Sequence, residues 1–279
     1  MTARLIRMSE ADYHADPCEA PSLSSSMAKI LLDQSPAHAW SAHPKLGGVR
    51  RPATAPMDRG TLIHRLVLDA GADLEIIDAV DWRTKAAREA RDAARKVRRI
   101  PVLKREHDEA VEVADKIRAN LAAQGVVFDG DRELACVWQE QTASGPVWCR
   151  GLFDHLKGAT ITDLKTSRSA HPKACVRHVL DYGYDVQRAA YVRALERAMP
   201  MLVGRVDLQF AFVETEPPYA CTVARLDGTL REYGERRWID ACETWASCLR
   251  LNSWPGYTLG PVRLEAPGWL MSTLEEAAE

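Results

Sequence analysis

Hydrophobic positions along the chain recur with two different periods. Segments in which they recur every three to four residues predict helices with one buried face. Runs rich in β-branched and aromatic residues, bounded by turn residues, predict strands. The predicted helices are 24–32, a segment following Asp58, 85–99, 104–124, 172–180, 184–199 and 231–251. The predicted strands are 132–142, 147–156, 159–167, 206–214 and 219–226. The pattern indicates an α/β fold with a mixed central sheet flanked by helices.

The order of these elements predicts a helical N-terminal part followed by a sheet core. Ser24 or Ser25 can cap the first helix, and Asp58 can cap the next one. The chain contains no internal repeat and no low-complexity linker. We therefore predict one domain over 1–279. Its parts are a helical part at about 22–125, a sheet core with flanking helices at about 126–252, and a tail at 253–279.

Composition narrows the class of protein without identifying it. The 279 residues are 46% hydrophobic and 27% charged, which is typical of a soluble globular protein. No apolar run approaches the ~20 residues that cross a bilayer, and the N-terminus has no secretory apolar segment. A cytoplasmic location is expected. The seven cysteines lie at irregular spacing, which argues against a disulfide framework.

The candidate chemistry lies in a predicted hairpin. The strands 147–156 and 159–167 are separated by a Lys157-Gly158 turn signal, which would bring Asp154 beside Asp163. Asp163 and Lys165 project to the same side because side chains alternate along a strand. Two neighbouring carboxylates repel each other, and a hard divalent cation such as Mg²⁺ would hold them together. This layout is typical of a metal-dependent phosphodiesterase.

The net charge of −2 hides a basic segment at 83–105. Within it only Glu89 and Asp92 are acidic. The basic residues are Arg83, Lys85, Arg88, Arg91, Arg95, Lys96, Arg98, Arg99, Lys104 and Arg105. Such a run is either a solvated helix face or a surface that tracks DNA phosphates. The strongly one-signed charge makes the second interpretation at least as good, with Arg88, Arg91, Arg95, Lys96, Arg98 and Arg99 as the expected DNA contacts.

Several short motifs, taken together, carry a resemblance to a known family. They are Leu23-Ser24-Ser25-Ser26, Ser35-Pro36-Ala37-His38, Gly60-x-x-x-His64, Glu133 at the start of a strand, Gly151-x-x-Asp154, Asp163-Leu164-Lys165, and Tyr184, Gln187 and Tyr191 on one helical face. In this order they resemble the RecE-type exodeoxyribonuclease VIII family. That family belongs to the RecB-like group of PD-(D/E)xK nucleases. The resemblance runs from about Ser22 to Tyr191.

The resemblance implies a set of metal ligands. Asp154 and Asp163 would bind the metal, with the backbone carbonyl of Leu164 as a third ligand. Glu133 resembles the first acidic residue of the family and would ligate directly or through water, while Glu140 remains an alternative for that position.

His64 would be a further ligand, supplied from outside the sheet core. A histidine on an apolar helix is often simply a core residue, and its context, Gly60-x-x-x-His64, favours the ligand.

The resemblance also implies roles for three residues beside the metal. Lys165 would orient or deprotonate the attacking water, or stabilise the pentavalent phosphate. Gln187 and Tyr191 match a Gln-x-x-x-Tyr motif that lies beside the active site and helps to position DNA. Core packing explains Tyr191 nearly as well, but it explains Gln187 poorly.

Fold, activity and partners follow from the resemblance as expectations. They are a PD-(D/E)xK core, Mg²⁺ (with Mn²⁺ as a substitute), and 5′→3′ digestion of linear double-stranded DNA. The product would be a 3′ single strand for an annealing-type recombination protein, and the enzyme would be a ring-shaped homo-oligomer. Some RecB-like nucleases hold an iron–sulfur cluster through one early cysteine and a late trio. Only Cys242 and Cys248 come near that trio, so no cluster is expected.

Three alternatives belong to other classes. One is a RecB-like endonuclease or single-strand-specific nuclease. Another is a catalytically silent DNA-binding scaffold, for which Lys165 beside two carboxylates would serve no purpose. The last is a hydrolase of small phosphorylated molecules, which would not need the basic segment.

Overall fold

A six-stranded mixed sheet forms the centre of the molecule. The computed structural model describes residues 3–49, 55–71, 73–97, 99–258, 260–267 and 270. Its strands are β1 (Arg4–Arg7), β2 (Leu74–Ile77), β3 (Ile100–Leu103), β4 (Asp131–Thr142), β5 (Gly145–Lys157), β6 (Thr160–Ser167), β7 (Asp207–Glu214) and β8 (Cys221–Ala224). The predicted strands of the core are confirmed, with shifts of a few residues at their ends.

The sheet has the order β1-β4-β5-β6-β7-β8. Strands β4, β5 and β6 form an antiparallel meander, and β7 lies parallel to β6. A parallel neighbour requires a crossover connection. Here the crossover contains two helices, which pass over one face of the sheet. The predicted mixed sheet flanked by helices is confirmed.

Nine helices surround the sheet in the part of the chain that the structure describes. They are α1 (Glu10–His14), α2 (Ser25–Asp33), α3 (Pro36–Ala42), α4 (Ala55–Leu68), α5 (Lys85–Lys96), α6 (Lys104–Ala122), α7 (Pro172–Tyr182), α8 (Tyr184–Ala198) and α9 (Gly228–Leu251). Ser24 caps α2 by accepting a hydrogen bond from the Met27 amide, as one of the two predicted caps. Long amphipathic helices on both faces give the sheet two buried sides.

The predicted start of the helix that carries His64 was wrong. Asp58 was expected to cap it, but α4 already begins at Ala55, so Asp58 lies inside the helix. Pro56 lies in the first turn of α4. Proline is tolerated in the first turn because the amide groups there have no partner within the helix.

The N-terminal part contains more strand than was predicted. Strands β2 and β3 form a separate two-stranded parallel sheet, and β1 joins the edge of the main sheet at β4. The helix predicted at 85–99 ends at Lys96, and β3 begins shortly after it. These strands have four residues each, which is too short for a period to show, and their partners are distant in sequence. The division of the chain into one domain with three parts stays a prediction.

Alternating side chains of β7 separate the two largest hydrophobic cores among the described residues. Phe210 and Phe212 on β7 face the larger core, which α2, α8 and α9 cover. Ala211 and Val213, between and after them, face the second core together with Leu164 and residues of α4 and α6. Helices α4 and α8 therefore pack on opposite faces of the sheet. Within the described residues, no helix has the length and apolar character to cross a membrane.

Candidate active site

Strands β5 and β6 separate at the two carboxylates. Their ladder runs from the Lys157-Gly158 turn and stops at the pair His155 and Thr162. Asp154 and Asp163 would form the next pair, but the Leu164 amide instead donates to Asp154 Oδ2 at 2.8 Å. We call this point the fork: Asp154, Asp163 and the residues that contact them. The hairpin predicted from the turn signal does bring the two carboxylates together.

Helix α4 brings His64 to the fork. His64 Nε2 lies 2.9 Å from Asp154 Oδ2. Gly60, one turn earlier, lets this helix approach β6, since a Cβ there would lie 3.2 Å from Thr166 Oγ1. Burial lowers the pKa of His64, but the charge of Asp154 and its hydrogen bond outweigh burial and raise that pKa to about 9. Burial alone would raise the pKa of Asp154, and the charge of His64 keeps it below its usual value.

Asp163 is almost fully buried and is held from two sides. Gln187 Nε2 on α8 donates to Oδ2, and Lys165 Nζ lies 2.5 Å from Oδ1. That ion pair does not have hydrogen-bond alignment, and Oδ1 has no hydrogen-bond partner among the described residues. Burial raises the pKa of Asp163 to about 6, and the negative charge of Asp154 contributes to the shift. The lysine predicted to act beside the carboxylates is therefore in contact with one of them.

Lys165 is held in place by an aromatic ring as well as by Asp163. Its Nζ lies 4.3 Å from the centroid of the Tyr184 ring. A cation over an aromatic face is attracted by the ring quadrupole. Burial opposes the charge on Lys165, but Asp163 outweighs burial and raises the pKa of the lysine. The sequence predicted no role for Tyr184 beyond its place on one helical face with Gln187 and Tyr191.

Glu133 also lies at the fork, whereas Glu140 does not contact it. Glu133 stands opposite Asp154 between two regular pairs of the β4–β5 ladder, with a φ of 50°. That left-handed conformation strains a residue other than glycine. Burial, followed by the charge of Asp154, raises the pKa of Glu133 to about 7.

Glu140 belongs to a structural ion-pair network further along β4. It accepts hydrogen bonds from Arg193, Arg197 and Trp138. The geometry thus favours Glu133 as the first acidic residue.

Tyr191 occupies the core below the fork. It is 6% exposed, and its ring packs against Phe153 at a centroid distance of 5.1 Å. Its edge also lies against Gly151, where a Cβ would come within 2.9 Å of Tyr191 Cε1. The predicted contact of Tyr191 with DNA remains untested, and its burial favours a role in positioning α8 and Gln187. Gly151 in the Gly-x-x-Asp motif leaves room for this ring.

Gly151→Ala is expected to impair the protein through Tyr191. The added methyl group would displace a rigid ring that the core holds, and overpacking of this kind costs about 1–3 kcal/mol. Movement of α8 would also shift Gln187 away from Asp163. We therefore expect a lower thermal midpoint. Gly228→Ala is the control, because nothing lies within 4 Å of a Cβ at that position. An equal thermal midpoint for Gly151→Ala and the parent protein would refute this role of Gly151.

The fork has the chemistry of a site for a hard divalent cation. Carboxylate oxygens converge there, two of the acids have raised pKa values, and Asp163 Oδ1 is buried without a hydrogen-bond partner among the described residues. Such groups fit Mg²⁺, which prefers oxygen ligands. Among the described residues, no three His, Cys, Asp or Glu side chains already surround one point in ligand geometry. His64, Gln187 and Lys165 engage the carboxylates instead, so binding of a cation would replace some of these contacts.

The fork predicts how stability depends on pH in the absence of metal. Glu133 and Asp163 have raised pKa values, so the folded protein binds more protons than the unfolded chain at mildly acidic pH. Its stability falls as the pH rises through about 4 to 7, because these acids must ionise while buried. The raised pKa of His64 acts in the same direction. Its stabilising contribution is complete below about pH 6.5 and disappears as the pH passes about 9.

We therefore expect the metal-free protein to melt at lower temperature as the pH is raised from about 5 to about 9. Added Mg²⁺ should raise the melting temperature more at pH 8 than at pH 6, because the deprotonated ligands are those that bind. Thermal melting in EDTA and in Mg²⁺ tests both statements. Glu133→Gln should flatten the metal-free profile. A melting temperature that rises over this range in EDTA would contradict the expectation.

The basic segment lies beside the small sheet of β2 and β3. Ala87 and Ala94 of α5 face inward, which leaves Arg88, Arg95 and Lys96 exposed. Arg91 lies 5.9 Å above the Trp82 ring, and Arg99 pairs with Glu75 at 2.7 Å. Arg98 lies outside the described residues. None of the contacts described for these side chains reaches the fork, so their role in DNA binding stays a prediction.

Comparisons with known proteins agree with the fold. Residues 24–260 match the family model described as a PDDEXK-like domain of unknown function (DUF3799). A crystal structure from Eubacterium rectale, described as a "putative exonuclease", aligns over 96% of this chain and 98% of that chain. Its TM-score is 0.63 at 11% identity, which shows a shared fold. A second solved structure, SSO0001, aligns over 63% of this chain and 83% of its own at 14% identity. Its TM-score of 0.27 is too low to indicate a shared fold. No curated protein matches the chain.

Proposed function

The chain belongs to the DUF3799 family of PDDEXK-like domains. We propose that it is a Mg²⁺-dependent exonuclease that acts on linear double-stranded DNA. One observation carries the proposal: Asp154, Asp163 and Lys165 converge at the fork with His64 and Glu133 around them. Nucleases with this core generally depend on a divalent cation. A binding scaffold would have no use for neighbouring acids whose pKa values are raised by burial and, secondarily, by the charge of Asp154.

Five groups would hold the cation. They are the carboxylates of Asp154, Asp163 and Glu133, the backbone carbonyl of Leu164, and the imidazole of His64. When bound, Mg²⁺ supplies charge for the scissile phosphate and lowers the pKa of a water molecule. Mn²⁺ has similar ligand preferences and should substitute. Before it can ligate, His64 must give up the proton that its raised pKa retains.

The remaining side chains position the reacting groups. Lys165 stays protonated beside Asp163, so it is suited to orient the attacking water or to neutralise charge on the pentavalent phosphate. Tyr184 holds its ammonium group from the other side. Gln187 fixes the Asp163 carboxylate by donating to Oδ2, while Oδ1 lies against Lys165 Nζ.

The finer parts of the proposal rest on the resemblance of the motifs to RecE-type enzymes. They are 5′→3′ polarity, exposure of a 3′ single-stranded end for an annealing-type recombination protein, and a homo-oligomeric ring around the duplex. The solved structure described as a "putative exonuclease" supports the exonuclease over the endonuclease. Closed rings are a common symmetry for homo-oligomers, and such a ring would keep the enzyme on one DNA end.

The exposed basic residues of α5 are expected to bind DNA phosphates. Arg88→Gln with Lys96→Gln should flatten the dependence of DNA affinity on salt. The log–log slope should fall by about 0.9 for each duplex phosphate contact that is lost. Fluorescence anisotropy at a series of NaCl concentrations measures that slope. The matched control is Arg236→Gln, which removes an exposed arginine of α9 that pairs with Glu232. An unchanged slope in the double variant would make α5 a solvated helix face.

Digestion of a linear duplex tests the proposed function. The duplex carries a label at either its 5′ or its 3′ end and is incubated with Mg²⁺ or EDTA beside a nicked circle. We expect early release of the 5′ label in Mg²⁺ alone, with the circle spared. Cutting of the circle would indicate an endonuclease. Absence of cleavage with Mg²⁺ and with Mn²⁺ would favour a silent scaffold.

A further inference from the structure

A pocket of about 470 Å³ lies between α4, α5, α6 and β3, separate from the fork. Its buried lining is apolar and includes Leu62, Val102 and Val113. Its exposed lining is charged and includes Arg59, Arg95 and Glu106. An apolar floor with charged groups at its edge is typical of a site for a flat, mostly uncharged group attached to a charged chain.

Trp82 and Arg91 give the lining a flat cation–π pair. The guanidinium carbon of Arg91 lies 5.9 Å from the centroid of the Trp82 ring. An indole with a guanidinium over it presents flat surfaces on which a nucleobase can stack, and single-strand binding proteins use tryptophan and arginine in this way. The volume suits one or two such rings and is far too small for a duplex.

The charges of the lining lie on its exposed side, and the buried side is apolar. Arg59, Arg95, Glu106 and Glu109 line the pocket and are all exposed, whereas Leu62, Val102 and Val113 are buried. The arginines would attract the phosphates of a DNA strand at the exposed side. The apolar interior suits an uncharged base better than a phosphate, because a charged group loses its hydration there.

Helix α4 connects this pocket to the fork. Leu62 and Ile63 line the pocket, and the next residue, His64, contacts Asp154. Arg59, at the other end of this stretch, lies 3.4 Å from Glu216, which follows β7 at the same end of the sheet as Lys165. A DNA strand bound in the pocket would therefore lie about one turn of α4 away from the candidate catalytic residues.

From these observations we propose that the pocket lined by Trp82, Arg91 and Leu62 binds one unpaired nucleobase of a DNA strand beside the active site. The inference rests on the proposed nuclease function and names a feature of its substrate, a single-stranded segment next to the cleavage point. It gives the N-terminal part a function of its own: α4, α5 and α6 together hold DNA that has left the duplex.

Binding of tailed duplexes that lack single bases tests this inference. Each position of the single-stranded tail is replaced in turn by an abasic site, and affinity is measured with Ca²⁺ in place of Mg²⁺ to prevent cleavage. In the parent protein, an abasic site at one position of the tail should lower the affinity for DNA about 5- to 150-fold, the range for one stacked base. In Trp82→Ala the same position should have no effect, because the base has lost its stacking partner. Trp82→Phe should retain most of the effect.

The controls separate this inference from loss of fold and from failure of the proposed function. Trp40→Ala removes a partly exposed tryptophan outside the pocket and should leave the position-specific loss unchanged. Thermal melting of Trp82→Ala and Trp82→Phe reports on folding. Suppose that DNA is cleaved in a Mg²⁺-dependent way, but that every abasic position has the same effect on affinity in the parent protein and in Trp82→Phe. This result would overturn the proposed base-binding pocket and leave the proposed nuclease function intact. Absence of any DNA cleavage would overturn the proposed function, and this inference with it.

Discussion

Asp163→Asn is expected to abolish DNA cleavage while the protein still binds DNA. The substitution removes one of the two carboxylates at the fork and with it a proposed ligand of the cation. Loss of one electrostatic contact at a reacting centre costs about 10²–10³ in rate, and loss of a cation ligand should reduce cleavage by at least this factor. Affinity for DNA should be retained or increase, because one negative charge that repels phosphates is gone. Cleavage of an end-labelled duplex and anisotropy with the same DNA measure the two properties.

The same variant should lose the part of the metal-free pH dependence that comes from Asp163. Burial raises the pKa of Asp163 to about 6, so ionisation of this acid above that pH disfavours the folded state. A neutral amide of the same shape avoids that ionisation, so the fall in melting temperature in EDTA between about pH 5 and about pH 8 should be smaller than in the parent protein.

The matched control is Asp129→Asn, an exposed aspartate that pairs with Lys157. It should change neither cleavage nor the melting profile in a comparable way. Substantial cleavage by Asp163→Asn would rule out the metal-ligand role of Asp163.

Lys165→Met is expected to reduce turnover steeply with little change in DNA affinity. The ammonium group contacts Asp163 and the Tyr184 ring, so it is fixed before any substrate binds. A fixed charge at the place where charge develops in the transition state contributes about 10²–10³ in rate. The loss should therefore appear in kcat far more than in KM. Single-turnover cleavage at saturating enzyme measures it directly.

The fold of Lys165→Met is expected to persist because Asp163 can take up a proton once its cationic partner is gone. Circular dichroism and thermal melting check this. The control is Lys157→Met, which removes an exposed lysine at the turn of the same hairpin. Tyr184→Phe retains the ring below Lys165 and should retain most of the activity. An unaltered kcat in Lys165→Met would remove this lysine from the mechanism.

Much of the fold could be predicted because the period of hydrophobic positions is a local property. The strands β4, β5 and β6 are marked by runs of apolar, β-branched and aromatic residues between turn residues. The turn at Lys157-Gly158 has the residues that a tight hairpin requires. The short strands β1, β2 and β3 were not predicted, because each has only four residues and pairs with a distant segment. The start of α4 was placed too late because Asp58 has the side chain of a common N-cap residue but lies inside the helix.

In the candidate site too, residues that are close in sequence could be grouped in advance, whereas contacts between distant segments could not. Asp154, Asp163 and Lys165 could be grouped from the sequence because one hairpin contains them all. The choice between Glu133 and Glu140 could not be made that way, since both lie on one strand of similar pattern. The structure separates them by their neighbours: Glu140 pairs with Arg193 and Arg197, whereas Glu133 stands opposite Asp154. The contact of Tyr184 with Lys165 also depends on how α8 packs.

The sequence by itself determined the elements of the sheet, the turn that aligns two carboxylates, and the lysine on the same side as one of them. Each of these follows from strand alternation and turn geometry over a few residues. Only the tertiary structure decided that the ladder opens at Asp154 and Asp163, and that His64 meets Asp154 across 90 positions of sequence. It likewise placed Gln187 against Asp163 from the opposite face. Such contacts depend on the packing of whole helices against both faces of the sheet, which no local pattern encodes.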